Sequence, residues 1–364
     1  MPYLPDGRQA LLLKAALLDG EVALASWQAW RQSVALEDID FASARLIPLL
    51  LANLQRLGVR HPELHRYQNV ARHTWLENQL LAKHAMAVMR MFSNASIAAM
   101  PLKGLAVAPL YYGNLRLRAM SDVDLLVPVA VARKAACLLR DYGWQSKCFN
   151  LMGRSDYFST IHACLFTNAG NVQLDLHWHV CFDGCRTVAD DDFWRHASPM
   201  SLNGLETRSL CDTDQLFHTL VHGGRANPVA PIRWVADSTM IMRKAAIDWE
   251  RLLSHAQSFG VVLRLRRMLG YLRDDMGLAV PEAVAARLMA LAVTSLERME
   301  SRIELLAEPN TAKSLLRRYV HYRRTWVPEG RIGFLRYLQA VHGLRSTAHT
   351  LLWGIARIAA GRSR

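Results

Sequence analysis

The sequence predicts an α+β protein, a small mixed sheet flanked by N- and C-terminal helical regions, and three observations predict it. Apolar residues recur at helical spacing through most of residues 7–95. From Ser96 the texture changes to short apolar runs alternating with one helix at a time, the pattern of strands with helices packed on them. Beyond Asp183 helical spacing returns and persists into a basic C-terminal segment. These changes divide the chain into an N-terminal helical region (1–95), a core (96–182), a helical domain (183–310) and a basic helical segment (311–364). With 364 residues, 51% of them hydrophobic, the chain can bury the cores of several domains and is not disordered.

In the N-terminal region, breaks at Asp19-Gly20, Gly58 and His61-Pro62 read as helix stops. Asp38-Ile39-Asp40 spells two acids one residue apart, but its place at a helix start makes capping the expected role. In the core, residues 97–102 read as a strand that turns at Lys103-Gly104 into a helix carrying Leu105, Ala108, Leu110 and Tyr111. Gly113-Asn114 reads as a turn, and residues 122–127 as a strand stopped by Pro128. After a helix over 130–142, short strands are expected at 144–148 and 161–167. Asn168-Ala169-Gly170-Asn171 is a hairpin turn, so residues 172–180 should return antiparallel. Helices are then expected at 214–222, 232–244, 249–259, 261–276 and 281–306, with a linker at 308–310.

The chemistry concentrates at 101–127. Strand periodicity puts Asp122 and Asp124 on one face of an otherwise apolar run, with Asp175 as a third carboxylate in the returning strand. Carboxylates this close raise one another's pKa unless a cation neutralises them. Hard divalent cations take such oxygen ligands together with substrate phosphates. A glycine at the start of a helix lets phosphate approach backbone N–H groups. In the same strand His177 shares a face with Asp175, whereas Trp178 points into the core.

The motifs LKG, LYYG, LRLRAMSDVDLLV and VQLDLHWHV, followed by DQLFHTLVHGG and IRWVADSTMIM, resemble the uncharacterised bacterial nucleotidyltransferase family of the DNA polymerase β-type superfamily, over roughly residues 86–262. The resemblance implies a nucleotidyltransferase-type sheet in which Asp122, Asp124 and Asp175 are catalytic and ligate Mg2+ or Mn2+. It also implies an NTP as substrate and transfer of its NMP to a hydroxyl acceptor such as a small molecule, saccharide, peptide or RNA. Arg118 matches the family pattern and, with Lys103 and Gly104, is expected to bind nucleotide. At the turn the superfamily usually has a glycine followed by glycine or serine, where this chain has Lys103-Gly104-Leu105. Lys103 then serves as the phosphate contact, or it pairs with one of the aspartates. His177 and His222 are expected behind the carboxylates or on the acceptor side. Arg233 and Asp237 either line the site or pair with each other at i,i+4.

Formal charge is +13, favouring anionic partners, and residues 311–364 hold eleven basic residues against the single acid Glu329. This segment fits nucleic acid or an anionic membrane surface, through an amphipathic stretch at 347–360, and allows a catalytically inactive accessory factor as the alternative to an enzyme. The six cysteines include no C-x-x-C pair, and the N-terminus shows no secretory leader. A cytoplasmic protein with reduced thiols is expected, membrane-peripheral if the stretch 347–360 binds a lipid surface. Cys181 and Cys185 beside His177 and His179 have zinc-ligand chemistry, but their spacing does not bring the four together on a strand.

Overall fold

The computed structural model describes residues 4–154, 156–185, 187–225, 232–306, 311–331, 333–344, 346–348 and 350. Helices α1 (Gly7–Leu17) and α2 (Gly20–Ser33) pack together, and α1 also packs on α4 (Ile47–Arg56). Asp40 begins the short α3 (Phe41–Ala44), its carboxylate accepting from Ser43 N at 3.0 Å, so the expected capping role holds. Helical spacing runs through residues 42–57 without a stop, which predicts one helix, but the structure has two, because Pro48 opens a new first turn in α4. The 31-residue α5 (Leu64–Asn94), roughly 46 Å long at the standard rise, reaches from this layer to the sheet.

The main sheet is mixed and runs β1 (Met100–Pro101), β2 (Val123–Leu126), β4 (Gln173–His177) and β3 (Ala163–Thr167) in spatial order. β2 and β4 are parallel and set Asp124 beside Asp175, while β3 and β4 form the expected hairpin. α6 (Lys103–Val107), continued by a wider turn over Ala108–Tyr112, and α7 (Ala132–Asp141) complete the core. Two strand expectations shrink. Residues 97–102 yield only β1, and 144–148 only a single bridge between Gln145 and Thr167.

The helical domain contains α8 (Thr187–Arg195), α9 (Asp212–Gly223), α10 (Arg233–Lys244), α11 (Trp249–Ser258), α12 (Val262–Asp274), α13 (Glu282–Ala290) and α14 (Ser295–Leu305). It also carries a hairpin not anticipated in the sequence, β5 (Ser198–Leu202) and β6 (Leu205–Ser209), closed by Asn203 and Gly204 at φ 47° and 79°. The Asn-Gly pair between strand-like runs is the signal for such a turn. The single helix expected at 281–306 is split because Thr294 and Glu297 form a reciprocal N-terminal cap for α14.

The basic segment forms α15 (Thr311–Thr325) and α16 (Phe334–His342). α15 lies against α14 and the turn at Phe182–Gly184. Buried Arg324 bonds Asp183 at 2.7 Å and Glu300 at 2.7 Å, and Arg264 bonds the same two acids at 3.0 Å each. Trp326 Nε1 donates to Thr160 Oγ1 at 3.0 Å, tying the segment to the loop before β3. The linker expected at 308–310 and most of the stretch 347–360 lie outside the described residues. No helix among the described residues is long and apolar enough to cross a membrane.

Beside this quartet, burial pushes the Glu304 carboxyl up to about 7 against the pull of Arg264, with Glu300 adding to the rise. A carboxyl that holds its proton more tightly folded than unfolded favours the fold at low pH, and that contribution is lost as pH climbs from 4.5 through 7. Glu304→Gln should therefore stabilise the protein by about 2 kcal/mol at pH 8 and leave it unchanged at pH 4, read by urea unfolding at both pH values. Equal effects at the two pH values would refute the assignment.

Candidate active site

Asp124 sits in the middle of β2, 3% exposed, where every neighbour in the strand is apolar and buried. Three groups converge on it. Lys103 Nζ donates to Asp124 Oδ1 at 2.6 Å, and His177 Nε2 lies 3.0 Å from the same oxygen. Asp175, its partner across the parallel pair, completes a cluster in which donor atoms of Asp124, Asp175 and His177 lie within 4.8 Å of one another. Burial alone would raise the Asp124 carboxyl, but the Lys103 ammonium and the His177 hydrogen bond outweigh it and hold the group well below the usual carboxylate range. Asp175 moves the other way, pushed up by burial and by the charge of Asp124. Burial would likewise lower Lys103, yet Asp124 keeps its ammonium above the ordinary lysine range.

Lys103 thus takes the second of its expected roles, pairing with an aspartate. It does so from a left-handed backbone, φ 46°, at the first residue of α6. Asp122 stands one residue before β2, half-buried, and is not part of the three-residue cluster. Its carboxylate accepts from Ser121 Oγ at 3.2 Å, and Arg45 Nη2 is 3.0 Å from that hydroxyl. The field of Asp122 acts on Lys103, Arg45 and Arg233.

Gly104 is required for close packing. A Cβ there would come within 2.2 Å of Arg118 Nη1 and 2.6 Å of Met120 Cγ, so the room left by the missing side chain is filled by protein. The other edge of the Arg118 guanidinium is forked onto Asp237, with Nε to Oδ1 and Nη2 to Oδ2 both at 2.8 Å. Tyr112 OH donates to Asp237 Oδ1 as well, at 2.8 Å. The i,i+4 pairing anticipated for Arg233 and Asp237 is therefore replaced. Asp237 faces the core sheet from α10, and Arg233 Nη1 donates to Ala119 O at 2.6 Å. The loop carrying Arg118 is held by one side chain of α5. Asn78 Nδ2 donates to Leu115 O and Arg118 O at 2.6 and 2.9 Å, and Asn78 Oδ1 accepts from Met120 N at 3.1 Å.

These elements surround a cavity of about 120 Å³ bordered by Lys103, Arg45, Arg118, Arg233, His218 and His222. Four cations share its wall. Burial and then the neighbouring Arg118 push the Arg233 guanidinium down to about 9, and the same two causes take Arg45 to about 10. Arginine does not titrate in this range, so these shifts mark unneutralised positive charge. Burial and then Lys103 drive the His218 imidazole down to about 3, leaving it neutral. His222 is exposed at the cavity, with its ring 6.0 Å from that of His218.

The donor set suits a divalent cation. Two carboxylates converge with a histidine nitrogen, and an ammonium already lies within 2.6 Å of one of them. His177 Nδ1 is buried with no hydrogen-bond partner among the described residues, and the ring lies 5.5 Å from that of His162. The zinc alternative finds no support, because both nitrogens of His179 are engaged, with Asp190 at 2.5 Å and Phe158 O at 2.6 Å. Sequence reasoning missed Arg45, at the kink between two helices taken as one, and His218, four residues before His222 on the same helix face.

The family whose description reads "Uncharacterised nucleotidyltransferase" matches residues 41–277, and the chain belongs to it. No curated protein matches the sequence. The matched span begins at α3, includes the whole sheet and the cation-lined cavity, and ends before α13.

Proposed function

We propose that the protein transfers the NMP of an NTP to a hydroxyl acceptor with release of pyrophosphate. The observation that carries this reading is that the cavity walled by Arg45, Lys103, Arg118 and Arg233 shares Lys103 with the cluster of Asp124, Asp175 and His177, through the 2.6 Å contact of Lys103 Nζ with Asp124 Oδ1. Surplus positive charge in a half-buried wall favours a polyanion, and the adjoining acids favour the cations that accompany it. Asp122, Asp124 and Asp175 would hold Mg2+ or Mn2+, which supplies charge neutralisation to the attacking and leaving oxygens.

The chain's own groups then divide the work. Arg45 and Arg233 take the β- and γ-phosphates, since neither has a carboxylate within ion-pair distance among the described residues. Lys103 holds Asp124 and turns to phosphate when nucleotide enters, so that one ammonium serves both partners. His177 orients Asp124 through Nε2. Asp175, whose raised pKa makes it the better base of the pair, receives the proton of the acceptor hydroxyl. The acceptor oxygen bonds the α-phosphorus, the bond from that phosphorus to the bridging oxygen breaks, and pyrophosphate leaves into the arginine wall.

Arg233→Gln should weaken Mg2+-ATP binding at least about tenfold by calorimetry while leaving the melting temperature within a few degrees, as loss of one charge-assisted contact predicts. Unchanged affinity would remove the cavity from the reaction. Nucleotidyl transfer that persists undiminished in a variant carrying both Asp122→Ala and Asp124→Ala would overturn the proposed chemistry itself.

A further inference from the structure

A second cavity, of about 260 Å³, is lined by Phe182, a ring neighbour of His162. The His162 ring stands 5.5 Å from that of His177 and 5.3 Å from that of Phe182, and Phe182 lines this second space. Its walls come from two sources. Phe182, Asp183, Arg225 and Arg264 belong to the span matched by the family, whereas Glu300, Arg317, Arg318 and His321 lie beyond it, on α14 and α15. The segment 222–225 borders both cavities, with His222 in the first and Arg225 in the second.

The charges of this wall do not balance. Asp183 and Glu300 are both consumed by Arg264 and Arg324 in the buried quartet. What remains is Arg225, Arg317 and Arg318 against Glu304. The Arg225 guanidinium lies over Phe182, its Cζ 4.0 Å from the ring centroid, and makes no hydrogen bond or ion pair with any described residue. The His321 ring packs on Phe182 at 4.0 Å, and its two nitrogens are taken by Phe182 O and Tyr337 OH, so Phe182 is fixed between an imidazole and a guanidinium. A guanidinium pinned by stacking, with its N–H edge unspent, is suited to a tetrahedral oxyanion.

Building on the transfer reaction proposed above, we infer that the hydroxyl acceptor is a small phosphorylated molecule whose phosphate seats on Arg225, Arg317 and Arg318, with its hydroxyl directed past His162 toward Asp175. The arginines of α15 are then part of the acceptor site rather than a free basic tail. A cavity of this size takes a phosphate and a short carrier, not a base-stacked strand.

The test uses the full chain with Mg2+ and saturating α,β-methylene-ATP, which fills the first cavity without reacting, and titrates inorganic phosphate by calorimetry. One equivalent should bind. Arg225→Gln and, separately, Arg317→Gln should each weaken it at least tenfold with the affinity for the ATP analogue unchanged; Arg317 is only partly buried, so its variant guards against misfolding of the first. Glycerol 3-phosphate should compete with the phosphate, and glycerol should not. Phosphate that fails to bind, or binds equally well to both variants, overturns the inference. Competition by a uridine decanucleotide but not by glycerol 3-phosphate overturns it in favour of an RNA acceptor. If the ATP analogue itself does not bind, the transfer reading fails alone, because the loss of one phosphate equivalent in the two variants still reads the second cavity.

Discussion

Asp124→Asn should lower the proposed nucleotidyl transfer at least about a hundredfold, as removal of a preorganised charge at a reacting centre does, and should also cost the fold about 3 kcal/mol. The two losses have different origins. The carboxylate is buried against Lys103 Nζ at 2.6 Å and His177 Nε2 at 3.0 Å, so the amide leaves an ammonium facing either one neutral and weaker carbonyl acceptor or an NH2 group that cannot accept at all. Breaking one half of a buried pair is expensive because the other half stays behind. The double variant Asp124→Asn with Lys103→Met removes both halves and should recover most of the stability in urea unfolding. It should recover none of the transfer. Stability and transfer returning together would mean that the carboxylate is structural only.

Arg118→Met and Asp237→Asn should each cost about 3–5 kcal/mol, the usual penalty for halving a buried ion pair. Combined, they should cost far less than the sum, with a coupling of at least about 2 kcal/mol in a double-mutant cycle. The geometry requires this outcome, since two parallel bonds of 2.8 Å join the core sheet's loop to α10 and nothing else described accepts from the Arg118 Nε. Additive costs in urea unfolding would show that the pair is not the joint between the two halves. Gly104→Ala belongs to the same test, because its methyl would land 2.2 Å from Arg118 Nη1 and displace the guanidinium from Asp237.

Much of this was legible in the sequence where periodicity and turn chemistry are local. The Asn168–Asn171 turn fixed the β3–β4 hairpin, and strand alternation put Asp175 and His177 on one face, as the cluster with Asp124 shows. What the sequence could not carry were partners far along the chain. Asp237 has a local candidate in Arg233, four residues away, and the fold instead gives it Arg118, 119 residues distant. Arg324 likewise reads as one more surface arginine of a basic tail until Asp183, 141 residues earlier, is seen beside it. Local rules also misjudge extent: the helix expected over 42–57 breaks at a proline, and β1 keeps only the two residues that β2 can pair.

Asn78 decides when the order of residues 115–120 is established. Its amide meets two carbonyls and one N–H of that loop, so the loop's rotational freedom disappears when the polypeptide folds and not when a ligand arrives. Arg118 is consequently a fixed wall and not a closing latch. Any compound that enters beside it meets a loop already in order, and its association is spared the entropy of ordering that loop.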